Sequence, residues 1–121
     1  MEDKIEKGYH KLLLWQRLKE FIKLVYLLTD KLPKSEEFGL KSQMRRAVVS
    51  VLSNFVEGYL KKSSKHKLSF MEIAKTSLLE LEAQGEICSI LNYWSEEDYS
   101  LFEKKRGEIG FLLFRYSGKL K

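Results

Sequence analysis

Between positions 14 and 28, large apolar residues recur at Leu14, Leu18, Phe21, Val25 and Leu28. The spacings alternate between four and three, which lines one face of a helix with 3.6 residues per turn. Lys11, Arg17, Glu20 and Lys23 fall on the other side, and the pattern predicts a helix from about Glu6 to Asp30. Pro33 and Gly39 in KLPKSEEFG then mark a loop. A second stripe, Met44, Val48, Val51 and Phe55, predicts a helix over about 41–59, with Gly58 near its end. The linker KKSSKHK follows, and Ser63 or Ser64 supplies an N-cap for the next helix. That third helix spans about 65–92, with Met71, Ala74, Leu78, Leu81, Gly85 and Cys88 as its seam. At 1.5 Å per residue it is roughly 40 Å long. In NYWSEED, Ser95 with Asp98 resembles a capping box, and Glu96, Glu97 and Asp98 suit a helix N-terminus. The fourth helix, about 96–118, carries Phe102, Ile109, Leu113 and Tyr116, with Leu120 beyond. Gly107 and Gly110 weaken it, each by about 1 kcal/mol relative to alanine. No strand pattern, repeat or low-complexity tract is present. Four helices with short connections predict an all-α, antiparallel up-down-up-down four-helix bundle, one domain over 1–121.

The apolar positions exceed what one bundle needs. The third helix has a second line at Leu79, Ala83, Ile87, Ile90 and Trp94. Trp15, Ile22 and Tyr26 flank the first seam, and Phe111 and Phe114 point off the fourth. One reading is a wide core face with some exposed aromatics. The other is a homo-oligomer whose interface holds Trp15, Ile22, Tyr26, Leu79, Ala83, Ile87, Ile90 and Trp94.

The second helix hides charge among apolar residues. On a helical wheel Arg46 falls with Ser50, Ser53 and Glu57 on the polar side, whereas Arg45 falls among Val49, Leu52 and Val56. Asn54 borders the apolar arc near Ala47. A guanidinium there needs a partner. Glu80 lies between Ile73 and Ile87 on the third helix, so Arg45 is expected to pair with Glu80, within a protomer or across an interface. Direct ligand contact by Arg46, Asn54 or Glu57 is the competing reading.

Composition narrows the chemistry. The 121 residues are 44% hydrophobic and 32% charged, with one proline, so a folded helical core is expected. One cysteine, Cys88, allows no internal disulfide, and two histidines, His10 and His66, make no zinc set. Neither histidine follows a glutamate by three, the Glu-x-x-His pattern of di-iron bundles, and neither follows an arginine at the spacing of helical RNases. Phosphate-loop, dinucleotide and nucleophile-elbow motifs are absent. These readings predict no enzyme, no metal and no cofactor. The polar start and the lack of an apolar run near 20 residues predict a cytoplasmic protein away from membranes.

The net charge of +5 is unevenly spread. Lys61, Lys62, Lys65 and Lys67 crowd the second linker with no acid among them, ahead of a helix N-terminus. Lys104, Lys105 and Arg106 form a second cluster, and Arg115, Lys119 and Lys121 a third. Solvated lysines that keep the protein soluble are one reading. A phosphate-backbone footprint made of Arg46, Lys61, Lys62, Lys65, Lys67, Lys104, Lys105 and Arg106 is the other, and it implies salt-dependent binding to RNA or DNA with little base readout.

Several stretches resemble a known family. Trp15-Gln16, Tyr26, Thr29, Pro33 and Glu36, then GLKSQMRRAVVSVLSNFVEG and IAKTSLLELEAQ, look like the four-helix-bundle proteins encoded in 23S rRNA intervening sequences. The same superfamily includes the accessory variability determinant (Avd) proteins of diversity-generating retroelements. The resemblance implies an antiparallel bundle, a ring-shaped homopentamer and no enzymatic activity. In the Avd branch it implies a basic ring that associates with a reverse transcriptase and nucleic acid. The family's motif positions fall on Gln43, Arg45, Arg46, Ala47, Ser50, Asn54, Glu57 and Gly58, and on Ser77, Leu78, Glu80, Leu81 and Glu82. Of these, Gln43, Arg45, Asn54, Glu57, Glu80 and Glu82 are expected to serve as polar links between helices. Leu52 stands where many relatives have proline, Thr76 where many have glycine, and Lys61-Lys62 where an arginine is common. The alternative to a nucleic-acid-binding accessory is an oligomeric scaffold that binds only protein.

Overall fold

The computed structural model describes residues 7–121; Glu6, where the pattern opens the first helix, lies outside them. Four α-helices make up the fold: α1 Leu13–Thr29, α2 Leu40–Leu60, α3 Ser64–Ile90 and α4 Glu96–Gly118. The first begins later than the apolar pattern indicates. Gly8–Lys11 instead forms a 3-10 turn, and Leu12 is extended before the helix starts. Packing explains the turn: it lays Tyr9 against Tyr59, with ring centroids 5.8 Å apart.

Antiparallel packing follows from which helix ends meet. The start of α1 and the end of α4 line one pocket through Leu12, Leu13, Leu14, Leu112, Tyr116 and Lys119. Gly58 near the end of α2 faces Met71 and Phe70 near the start of α3. At the opposite pole Gly85 of α3 faces Phe102 of α4, and Cys88 of α3 meets Met44 of α2. Each helix therefore adjoins the next, α4 closes against α1, and α2 with α3 shares the most extensive interface.

The seams become the core. Leu14, Leu18, Phe21, Val25 and Leu28 are buried on α1, as are Met44, Val48, Val51 and Phe55 on α2. Met71, Ala74, Leu78, Leu81 and Cys88 join them from α3, and Phe102, Ile109 and Leu113 from α4. Burying a side chain of this size is worth about 1.5–3 kcal/mol. Serine caps set two starts: Ser63 Oγ accepts from His66 N at 3.1 Å, and Ser95 Oγ from Asp98 N at 3.0 Å. Helix α3 stops because Asn92 turns left-handed, with φ of 58°. Tyr93 N then donates back to Cys88 O at 2.9 Å, which satisfies a terminal carbonyl.

That reversal corrects the expected place of Trp94. It does not extend the outer line of α3 into an interface, because the chain has turned inward by then. The indole is 4% exposed, packs on Phe102 at 5.0 Å and donates from Nε1 to Leu28 O at 2.8 Å.

Candidate nucleic-acid interface

The up-down topology carries three distant stretches to one pole of the bundle: residues 7–14, 57–69 and 113–121. They hold nine lysines and arginines to one acid, Glu57, an excess larger than that of the whole chain. Lys7, Lys11, Lys62, Lys65, Arg115, Lys119 and Lys121 are exposed. Lys61 and Lys67 are half-buried and partly engaged. Lys61 reaches Glu57 Oε2 at 3.8 Å and lies over the Phe70 ring. Lys67 Nζ donates to Tyr59 O at 2.7 Å, so it closes the end of α2. Clustered cations of this kind raise the local potential for an anion well above that of any one lysine.

Runs of adjacent residues were the signal in the sequence, and they separate what belongs to this pole from what does not. Lys104 and Lys105 sit mid-helix on α4, about 15 Å along the axis from Arg115. Arg106 is not a free cation for phosphate. Its guanidinium bonds Glu103 Oε2 at 2.7 Å and Glu82 Oε2 at 3.1 Å, and the side chain is 16% exposed. The flanking carboxylates hold its proton more tightly than usual, the hydrogen bond to Glu103 being the main cause. These two carboxylates offset the cost of desolvating Arg106 between α3 and α4. Conversely, Lys7, Lys11, Arg115, Lys119 and Lys121 complete the basic pole, and only the antiparallel topology reveals that they join the α2–α3 linker.

Arg46 lies elsewhere, on the rim of an open polar groove of ≈ 400 Å³ between α2 and α3. Gln43, Ala47 and Ser50 line it from α2, and Ser77, Glu80 and Gln84 from α3. Ser50 and Ser77 share a hydrogen bond of 2.7 Å across its floor. Asn54 Nδ2 donates to Ser50 O and to Ser50 Oγ, which ties it into the same link. Gln43 and Glu80 are exposed, and Glu57 is exposed near the pole.

The expected Arg45–Glu80 pair does not form within the protomer. Arg45 turns toward α1, on the far side of α2 from Glu80. Its Nη2 donates to Asp30 Oδ1 at 2.8 Å and to Tyr26 O at 3.1 Å, and its Nε to Thr29 Oγ1 at 3.0 Å. The guanidinium also covers the Tyr26 ring at 4.4 Å. A cation there adds a second donor to Tyr26 O, which already accepts from Asp30 N, and meets the negative end of the α1 dipole. Tyr26 is therefore occupied on one face. Trp15 and Ile22 pack partly on the core, whereas Leu79, Ala83, Ile87 and Ile90 stay exposed on α3.

Among the described residues, no group of His, Cys, Asp or Glu gathers to hold a metal, and no helix is long and apolar enough to cross a membrane. No curated protein matches this chain. A solved structure does. It is a protein with unknown function from the S23 ribosomal protein family of Bacteroides thetaiotaomicron, 23% identical, with a TM-score of 0.80 over 87% of this chain and 98% of that one. That similarity supports the fold. Residues 10–115 match the family described as 23S rRNA-intervening sequence protein. With nearly its whole length so matched, the chain belongs to the 23S rRNA-intervening sequence protein family.

Proposed function

We propose that this protein is a non-enzymatic, self-assembling accessory that binds structured RNA or DNA, alone or within a ribonucleoprotein, through its basic pole. The observation that carries this reading is the gathering of nine cations against one acid from three separate stretches. The closely spaced phosphates of a nucleic acid match such a surface, and binding releases counterions. In a homopentameric ring the pole repeats five times on one rim, and weak contacts add as avidity. In the Avd-like branch the partner would be a reverse transcriptase with its nucleic acid.

A salt titration of binding to generic duplex RNA and DNA tests the reading. Retardation at low salt that weakens steeply as salt rises supports it. Lys62→Glu with Lys65→Glu should abolish it while the thermal unfolding of the protein stays unchanged. No retardation even at low salt overturns it. That result would favour a protein-binding scaffold, a reading supported by exposed Leu79, Ile87, Ile90, Phe111 and Phe114. Incubation of the pure protein with RNA and magnesium tests the non-enzymatic assignment, since cleavage would refute it.

A further inference from the structure

We infer that the basic pole seats unpaired nucleotides, by stacking bases on aromatic rings that lie among its cations, in preference to gripping duplex alone. The inference rests on the proposed nucleic-acid role and names the form of ligand that role takes.

Six rings run in one connected series at this pole. His10 stacks on Trp15 with centroids 4.7 Å apart and planes at 30°. Tyr9 meets Trp15 edge-on at 5.2 Å and Tyr59 at 5.8 Å. Tyr59 continues to Phe55, and Phe55 to Tyr116 at 5.6 Å. Phe55 alone is buried; the other five are partly open to solvent. Phe55 belongs to the core, Tyr9, Trp15 and Tyr116 lean on it with part of each ring still open to solvent, and His10 extends the series beyond it.

The outer rings are held in place. Gln16 Nε2 donates to His10 O at 2.8 Å, and Lys7 N donates to His10 Nδ1 at 3.0 Å. The imidazole thus lies on the indole as a base would, ready to extend the stack. Lys67 covers the Tyr59 ring at 5.5 Å, which places a cation beside the same series. A duplex offers its phosphates to these cations but hides its base faces. Only unpaired nucleotides use both features. Stacking of this kind tolerates any base, and each ring is worth about tenfold in affinity.

The test titrates the full chain with oligo-dT of about ten nucleotides, a length within the usual site size, and with a blunt duplex of matched charge at equal salt. Tighter binding of oligo-dT, with quenching of tryptophan fluorescence that the duplex does not cause, supports stacking. Trp94 is buried at the opposite pole, so the quench should vanish in Trp15→Phe, and a quench that survives there overturns stacking at Trp15. Trp15→Leu should weaken oligo-dT binding about tenfold and leave duplex binding unchanged. His10→Ala lies outside the four helices and should weaken oligo-dT binding in the same direction without disturbing the fold. Equal affinity for both probes, no quench, or no effect of either ring variant overturns the stacking inference and leaves the charge reading standing. No binding of either probe at low salt overturns both.

Discussion

Gly85 and Gly107 both sit inside helices, where glycine costs about 1 kcal/mol relative to alanine, yet they answer different constraints. A Cβ at Gly85 would run into the ring of Phe102, itself fully buried. Nothing lies within 4 Å of one built at Gly107. Gly85→Ala should therefore lose about 1–2 kcal/mol, overpacking outweighing the propensity gain. Gly107→Ala should gain up to about 1 kcal/mol, and urea unfolding compares the two. Arg45 makes a second residue-scale prediction. Its hydrogen bond to Asp30, helped by Lys41, holds that carboxylate below its ordinary pKa of 3.8. A lowered folded-state pKa stabilises the protein above 3.8, and that contribution fades as pH falls through the folded value. Asp30→Asn removes it. The gap in thermal midpoint between native protein and variant should be constant above the ordinary value and close in acid. A gap that persists at the lowest pH would refute the assignment. The sequence showed that Arg45 needed a partner but misplaced it. A wheel gives the angle of a side chain about its own helix, not which neighbour stands on that side.

At the scale of elements, the four seams were legible because each repeats over several turns, so one misplaced residue changes little. Ends were less so. The start of α1 depends on Tyr9 finding Tyr59, a contact some fifty residues away in sequence that no local pattern encodes. The end of α3 depends on a left-handed asparagine, so helical periodicity carried past it puts Trp94 on the outer surface when the indole is buried. Arg106 shows the same limit in reverse. It reads as one of three cations in KKR, but α4 turns it onto Glu82 of α3 and Glu103 of its own helix. This sets a prediction at the α3–α4 contact. Arg106→Met leaves two carboxylates facing each other without their cation, and should cost about 1–3 kcal/mol. Nucleic-acid retention should be unchanged by it, in contrast to the loss expected from Lys62→Glu with Lys65→Glu. Chemical unfolding and gel retardation on the same variant check both halves. A stable variant that no longer binds would return Arg106 to the interface.

For the whole molecule, the consequence of the fold is separation of positive charge from exposed apolar side chains. One pole concentrates positive charge, and the outward face of α3 keeps Leu79, Ala83, Ile87 and Ile90 in solvent between Glu72, Glu80 and Glu86. The individual exposed positions were readable from periodicity, since they stand opposite the seam. The pole was not, because its three parts lie at the beginning, middle and end of the chain and meet only through the up-down order of the helices. The outward face makes the last prediction. Ile90 is 73% exposed and Leu79 64%, so neither serves the protomer's own core. Large apolar side chains left out in this way, in a row along one helix, gain most by meeting another copy. Placing charge at two of them should remove that gain at little cost to the folded chain, because exposed substitutions usually change stability by no more than about 0.5 kcal/mol. Ile87→Glu with Ile90→Glu should therefore reduce the mass found by light scattering to that of one chain, while the thermal midpoint of the isolated protomer holds. The two new acids would then share this side of α3 with Glu72, Glu80 and Glu86, and raising salt should restore part of the association by screening their repulsion. If the native protein already scatters as a single chain, or if the double variant keeps the native mass, this face does not join copies and the apolar row must serve a different partner.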